Sequence, residues 1–244
     1  MEATEFLLFV ALGLFAQLVD GALGMAYGLV SNSVLLALGI PPAAASATVH
    51  MAEIATTGVS GAAHARLGNV DRRLFWRLAI PGAIGGVIGA VFLSHVPAQA
   101  IRPYVNAYLL VLGILIVLRA LGRSLVRAPS RHPGPLGFAG GLLDAIGGGG
   151  WGPITTSTLL ARNGAVRTTI GSVNAAEFVV TLAISIAFAT QIGASHWRIV
   201  LGLLIGGVIA APIAALLVRR LPEKPVMIAV GLLVVGISLW QLLR

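Results

Sequence analysis

Apolar runs of about 20 residues follow one another along almost the whole chain, separated by short breaks of glycine, proline or arginine. A helix of that length crosses a hydrocarbon core of roughly 30 Å. Strict alternation of apolar and polar positions is absent, which argues against a β-barrel, the other structure that satisfies its own backbone in lipid. The pattern predicts ten helical segments: 5–20, 26–39, 43–64, 74–95 and 104–121, then 135–146, 153–162, 165–190, 197–219 and 225–243. The last three of each five can span. Segments 135–146 and 153–162 cannot comfortably do so, because about 12 and 10 residues at 1.5 Å each reach roughly half the membrane. Residues 5–39 either cross twice or form a longer version of that hairpin.

The two groups of five are copies. Shifting the sequence by 124 residues (144 − 20) lays DGALGMAYGLVSNSVLLA from Asp20 over DAIGGGGWGPITTSTLLA from Asp144. Without a gap, Thr48 then falls on Ser172, His50 on Asn174, Glu53 on Glu177, Thr57 on Thr181 and Gly82 on Gly206. Glycine and alanine matches are cheap in such a chain, but acidic ones are not. Of its 8 acidic residues, four pair off at this offset: Asp20 with Asp144, and Glu53 with Glu177. A duplication follows. The chain divides into a first repeat over 1–122, a linker over 123–133 and a second repeat over 134–244.

Composition sharpens the class. Of 244 residues, 57% are hydrophobic and 10% charged, far from a soluble domain. The opening MEATEFLLFVALGLF carries two glutamates and no basic residue, unlike a cleaved signal peptide, and is expected to be retained. Without cysteine there is no disulfide framework and no thiolate chemistry. A net charge of +8 could suggest nucleic acid, yet the basic residues are scattered between apolar runs and form no basic face. They orient the chain instead. With Arg66, Arg72, Arg73 and Arg77 in the cytoplasm, Arg119, Arg123, Arg127, Arg131, Arg162, Arg167, Arg219, Arg220 and Lys224 join them, leaving only Arg102, Arg198 and Arg244 outside. That threading makes the repeats opposite in orientation, with both termini periplasmic. Inverted repeats are a common construction of secondary transporters.

The chemistry concentrates in LLDAIGGGGWGP, Leu142 to Pro153. Irregular backbone at membrane depth is tolerated only where protein buries it or an aqueous cavity solvates it. The stretch therefore predicts two half-helices meeting near the midplane. Gly147 to Gly150 permit close backbone approach, and Pro153 suits a first helical turn. The amides of Ile154, Thr155 and Thr156, with the hydroxyls of Thr155, Thr156 and Ser157, would then attract an anion. The first repeat carries a gentler version in Gly21, Gly24, Gly28, Ser31, Asn32 and Ser33. Two such loops would frame one site. Its expected lining is Gly24, Tyr27, Gly28, Ser31, Asn32, Ser33, His50, Gly148, Gly149, Trp151, Gly152, Thr155, Thr156, Ser157 and Asn174.

These loops, with the His50-x-x-Glu53 and Asn174-x-x-Glu177 pairs and the two-repeat layout, resemble the TauE/SafE family of sulfite exporters over essentially the whole length. The resemblance implies export of sulfite, sulfoacetate or related small anions across a bacterial inner membrane. No composition or spacing points to sulfur itself.

Other roles remain open on sequence grounds. Asp20 and Asp144 either tie down their hairpins by accepting backbone amides or serve transport, since intramembrane carboxylates cost about 2.5 to 3.5 kcal/mol each. His50, Glu53, Asn174 and Glu177 provide interhelical hydrogen bonds or proton coupling. Gly82, Gly86, Gly202 and Gly206 give small-xxx-small spacings, read as close packing within the chain or in a homodimer. Trp151 and Tyr27 are either walls of the site or ordinary packing, and Trp76, Trp197 and Trp240 read as interface anchors. The expected fold is an all-α integral membrane protein of two inverted repeats, each a broken or re-entrant helix pair plus three spanning helices. Its partners are a small anion and the bilayer, with no nucleic acid. No cofactor, metal or enzyme activity is expected. A cation-coupled transporter of another organic solute and an anion channel are the rival functions.

Overall fold

The computed structural model describes residues 3–23, 25–122, 132–160, 166–193, 196–217 and 223–244. In these residues the chain is all-helical. The first repeat holds α1 (Ala3–Leu23), α2 (Tyr27–Ala37), α3 (Pro42–Arg66), α4 (Arg72–His95) and α5 (Ala98–Ala120). The second holds α6 (Pro133–Gly147), a wide π turn over Gly152–Thr156 that runs into α7 (Ser157–Leu160), then α8 (Val166–Ile192), α9 (Trp197–Leu217) and α10 (Glu223–Leu242). The 124-residue shift maps the end of α1 at Leu23 onto the end of α6 at Gly147 (23 + 124). It also carries α3, α4 and α5 onto α8, α9 and α10.

Among the described residues, four helices are long and apolar enough to cross a membrane: Arg72–His95, Ala98–Ala120, Thr168–Ile192 and Lys224–Leu242. With 25 residues, α3 has the length, but Ser46, Thr48, His50 and Glu53 make it less apolar, and all four are buried by its neighbours. A polar helix survives in lipid only when so enclosed. The outer faces remain greasy, with Ile80, Ile84, Ile88 and Phe92 of α4 exposed.

Close packing fixes the directions of the elements. A Cβ on Gly137 would strike the backbone of Leu78, and one on Gly89 would strike Leu142 and Ala145, so α6 runs parallel to α4. In the same way Gly202 meets Phe9 and Gly206 meets Val10 and Leu14, so α1 runs parallel to α9. Helices α3 and α8 are antiparallel, Gly58 lying at Phe178 and Gly61 at Ala175. Gly82 and Gly86 take Trp151, Val180 and Ile184. The small-xxx-small faces are therefore filled within the chain.

These directions resolve the first hairpin. Helix α1 starts beside the start of α9, and α2 returns to the same end, where Arg102 donates a hydrogen bond to the Ile40 carbonyl at 3.2 Å. Residues 5–39 thus enter and leave at one end. The second hairpin enters at the opposite end, Gly134 lying near Arg77 and Pro81. It leaves there too, where the Asp71 amide reaches Ser172 of α8 at 2.8 Å. The repeats are inverted in space. The second end carries Arg66, Arg72, Arg73, Arg77, Arg119 and Lys224; the first carries Arg102, Arg198 and Arg244. Arg123, Arg127, Arg131, Arg162, Arg219 and Arg220 lie outside the described residues, as does the side chain of Arg167.

Candidate functional site

Both loops are closed by one device. Oδ1 of Asp20 accepts the amides of Ala26 at 2.8 Å and Tyr27 at 3.2 Å. Oδ1 of Asp144 accepts those of Gly150 at 2.6 Å and Trp151 at 3.0 Å, the positions 124 residues on. These are first-turn amides that no carbonyl of their own helix can serve. The half-helices indeed begin there, since the amides of Val30 and Ile154 bond to the carbonyls of Ala26 and Gly150, each at 3.0 Å. This corrects the expectation that Ile154 would offer a free amide: the helix already starts at Trp151 and Gly152, with Pro153 inside its first turn. Its open amides are met by the chain's own carboxylate.

Each glycine of the second loop has a neighbour that forbids a side chain. The Tyr108 ring lies against Gly147 and its hydroxyl against Gly150. Gly148 has φ +67 and abuts the Asn32 side chain, whose Nδ2 donates to the Gly147 carbonyl at 2.5 Å. Gly149 presses on the backbone of Gly28 and Leu29, so the loops of the two repeats meet main chain to main chain.

Between them lies a cavity of about 20 Å³, lined by Met25, Ala26, Tyr27, Gly28, Leu29, Gly149, Trp151, Gly152, Pro153 and all four paired acids, Asp20, Glu53, Asp144 and Glu177. Such a volume admits about one water. With Gly150 and Trp151 satisfied and Pro153 lacking an N–H, Gly152 supplies the remaining first-turn amide on one side of the cavity. Gly28 supplies its counterpart, directed at the Glu53 carboxyl. Aromatic anchors fix both walls: the Tyr27 hydroxyl donates to the Leu203 carbonyl at 3.0 Å, and Trp151 Nε1 to the Val173 carbonyl at 3.3 Å.

One layer behind sits His50, fully buried. Its Nε2 is 3.2 Å from Asp144 Oδ2, and its Nδ1 is 2.8 Å from the Ser46 carbonyl. The Ser46 hydroxyl donates to the Ala145 carbonyl at 2.6 Å, tying α3 to the end of α6.

The family model described as "Sulfite exporter TauE/SafE" matches residues 9–240. The chain belongs to this family. TauE/SafE membership also agrees with its similarity to "Probable membrane transporter protein YtnM" of Bacillus subtilis (strain 168), 43% identical over 237 residues, 93% of this chain and 79% of the relative. No solved structure matches the chain. Length, apolar helices and family together make it a multi-pass membrane transporter.

Of the residues expected to form the TauE/SafE site, the fold gathers Asp20, Tyr27, Gly28, Glu53, Asp144, Gly149, Trp151, Gly152 and Glu177 on the cavity. Gly148, Asn32 and His50 stand one layer back and support the loops. Ser33 bonds to the Leu29 carbonyl within its own helix at 2.7 Å. Ser31, Thr155 and Thr156 are buried away from the cavity. Ser157 receives Arg119, whose guanidinium donates to Ser157 Oγ at 2.5 Å and contacts Met25 Sδ at 3.5 Å. Asn174 turns to Ser60 Oγ at 3.1 Å and makes no counterpart of the His50–Asp144 pair. Gly24 lies outside the described residues. Sequence reasoning did not single out Tyr108, Ser46 or Arg119 for the site. A lone tyrosine or serine in an apolar helix carries no signal, and Arg119 is read as topology.

Proposed function

We propose that this transporter exports a small oxyanion such as sulfite, sulfoacetate or a related sulfonate across a bacterial inner membrane, with both termini periplasmic and the substrate between the two glycine loops. The observation that carries the reading is the contact of the two loops across the pseudo-twofold axis. Two inverted hairpins meeting at one cavity can open to either side by rocking apart. The Gly28 and Gly152 amides provide a polar surface there. The description of the family supplies the substrate class.

Four carboxyls around the cavity oppose a bare anion. Asp20 and Asp144 are each held by two backbone amides, which draws their charge into the loops. Glu53 and Glu177 remain, and they favour a second reading, coupling to a cation. Energetically, outward movement of one negative charge gains about 2.3 kcal/mol per 100 mV with the interior negative, so export needs no further fuel.

Purified transporter in liposomes tests this. Saturable efflux of sulfite or sulfoacetate, competed by other sulfonates, supports oxyanion export. Flux that does not saturate points to a channel. Vesicles that move no sulfonate under any gradient, yet accumulate a neutral or cationic solute, overturn the reading.

A further inference from the structure

We propose that His50 and Asp144 form a proton-binding site that makes this transporter exchange one proton for each exported anion. The inference takes its cargo from the oxyanion reading; the proton site itself rests on geometry.

The Ser46 carbonyl, 2.8 Å from His50 Nδ1, can only accept. The Ser46 hydroxyl, 3.3 Å from the same nitrogen, has given its one hydrogen to the Ala145 carbonyl and can also only accept. Nδ1 therefore carries a hydrogen. In a neutral imidazole Nε2 is then a bare lone pair, and it lies 3.2 Å from Asp144 Oδ2, inside a pocket where His50 is completely shielded from solvent. Two lone pairs do not hold together there. One proton on the Nε2···Oδ2 line joins them, as imidazolium with carboxylate or as imidazole with carboxylic acid, and the pair is neutral in either form.

Acidic groups and phenols face this pair from five helices, opposed by the Gly150 and Trp151 amides that donate to Asp144. Glu53 follows His50 by one turn on α3, Asp20 and Glu177 approach Asp144 from α1 and α8, and the Tyr27 and Tyr108 phenols stand beside the loops on α2 and α5. Phe188 of α8 lies tilted at 43° to the imidazole, with ring centroids 6.5 Å apart.

The proton governs the loop. Asp144 holds the Gly150 and Trp151 amides, so whatever binds Asp144 to α3 binds the start of the second half-helix too. Losing the proton turns that link into a repulsion and loosens the hold of α3 on the loop, with the Ser46–Ala145 hydrogen bond as the remaining tie. The cavity between the loops has room for about one water in this form, in which the pair holds its proton. The empty carrier is therefore the protonated one. Anion leaves on one half of the cycle, and the proton travels in the opposite direction on the return. Asn174, at the matching position, carries no titratable group and pairs with Ser60, so the second repeat has no copy of this proton pair.

The test uses the full chain in liposomes with a trapped pH indicator and a fully ionised sulfonate. Wild type should take up about one proton per sulfonate released, while sulfonate–sulfonate exchange, which skips the empty return, should be indifferent to pH. His50→Asn replaces the proton-binding nitrogen with a permanent donor; proton uptake should fall at least about tenfold, and whatever sulfonate flux remains should show no pH dependence. His50→Gln serves if the asparagine variant does not fold. Wild-type sulfonate efflux without proton uptake, or a His50→Asn variant that keeps it, overturns the proposal. The site is also read without transport, from Trp151 fluorescence in detergent with the other tryptophans replaced by phenylalanine. A pH transition lost in His50→Asn supports it, and a flat wild-type response overturns it. Vesicles that move no sulfonate but retain this transition overturn the oxyanion reading alone.

Discussion

Gly28 and Gly149 touch through their backbones: a Cβ added to Gly28 would stand 2.9 Å from the Gly149 Cα and 2.8 Å from the Gly148 carbonyl oxygen. Main-chain atoms cannot rotate away as a flexible side chain can, so a larger residue must part the two repeats. Overpacking of this kind costs about 1–3 kcal/mol. Gly28→Val and Gly149→Val should therefore insert into the membrane yet lose transport. Gly236→Val, where a Cβ meets nothing within 4 Å, should transport like wild type. Parallel assays of membrane abundance and sulfonate flux decide it; normal flux in Gly149→Val would mean the loops need not meet.

Asp144 tests the cap separately from the charge. Asp144→Ala leaves two buried amides without an acceptor, at about 1–3 kcal/mol each, and should lower the melting temperature in detergent as well as abolish flux. Asp144→Asn keeps an acceptor oxygen for Gly150 and Trp151 and should hold most of the stability while impairing transport. The gap between the two melting temperatures measures the cap. Equal values would remove it.

The sequence was legible where a rule of spacing or cost applied. Apolar run length placed all ten helices to within a few residues, apart from the start of α5, which begins at Ala98, six residues before the expected 104, because Pro103 is accommodated inside the helix. Four acids at one offset exposed the repeat, and the glycine run exposed the break. Partners across the fold were not legible. The pairing of His50 with Asp144 joins residues 94 apart, and that of Asn32 with Gly147 joins residues 115 apart. Pro153 does stand in the first turn of the half-helix; what was misread is the Ile154 amide, which is already bonded to the Gly150 carbonyl.

Tyr108 offers a variant in which stability and activity should diverge. Its hydroxyl is buried against Gly150 with no hydrogen-bond partner among the described residues. Burying an unpaired hydroxyl costs about 1–3 kcal/mol, so Tyr108→Phe should melt at the same temperature or higher. The hydroxyl is also the polar group that the second loop meets on α5. Transport by Tyr108→Phe should fall. A variant both more stable and fully active would make Tyr108 a packing residue alone.

Arg119 reaches from the basic end of α5 to Ser157 and Met25, and so touches the second half-helix and the first loop at once. No basic residue occupies the matching place on α10, where position 243 is Leu243. Its influence should be one-sided. In oriented vesicles, Arg119→Gln should raise KM for sulfonate presented at the basic end by about tenfold, with little change from the other end, since rim charge acts mainly on capture. A symmetric loss would mean that Arg119 only holds the hairpin.

Inversion of the repeats can be checked chemically because the chain has no cysteine of its own. Arg72 starts α4 and Arg198 lies at the start of α9, and the parallel course of α6 with α4 and of α1 with α9 puts these two positions at opposite ends of the bundle. Basic residues favour the cytoplasmic side. Arg72→Cys should therefore react with an impermeant maleimide only after the cells are opened, and Arg198→Cys should react in intact cells whose outer layers admit the reagent. Both helix starts are solvent-exposed, so neither variant should disturb folding. Labelling of both from one side would require an odd number of crossings to be added or removed between them. The first candidate would be α8, whose length and apolar character are otherwise sufficient to span.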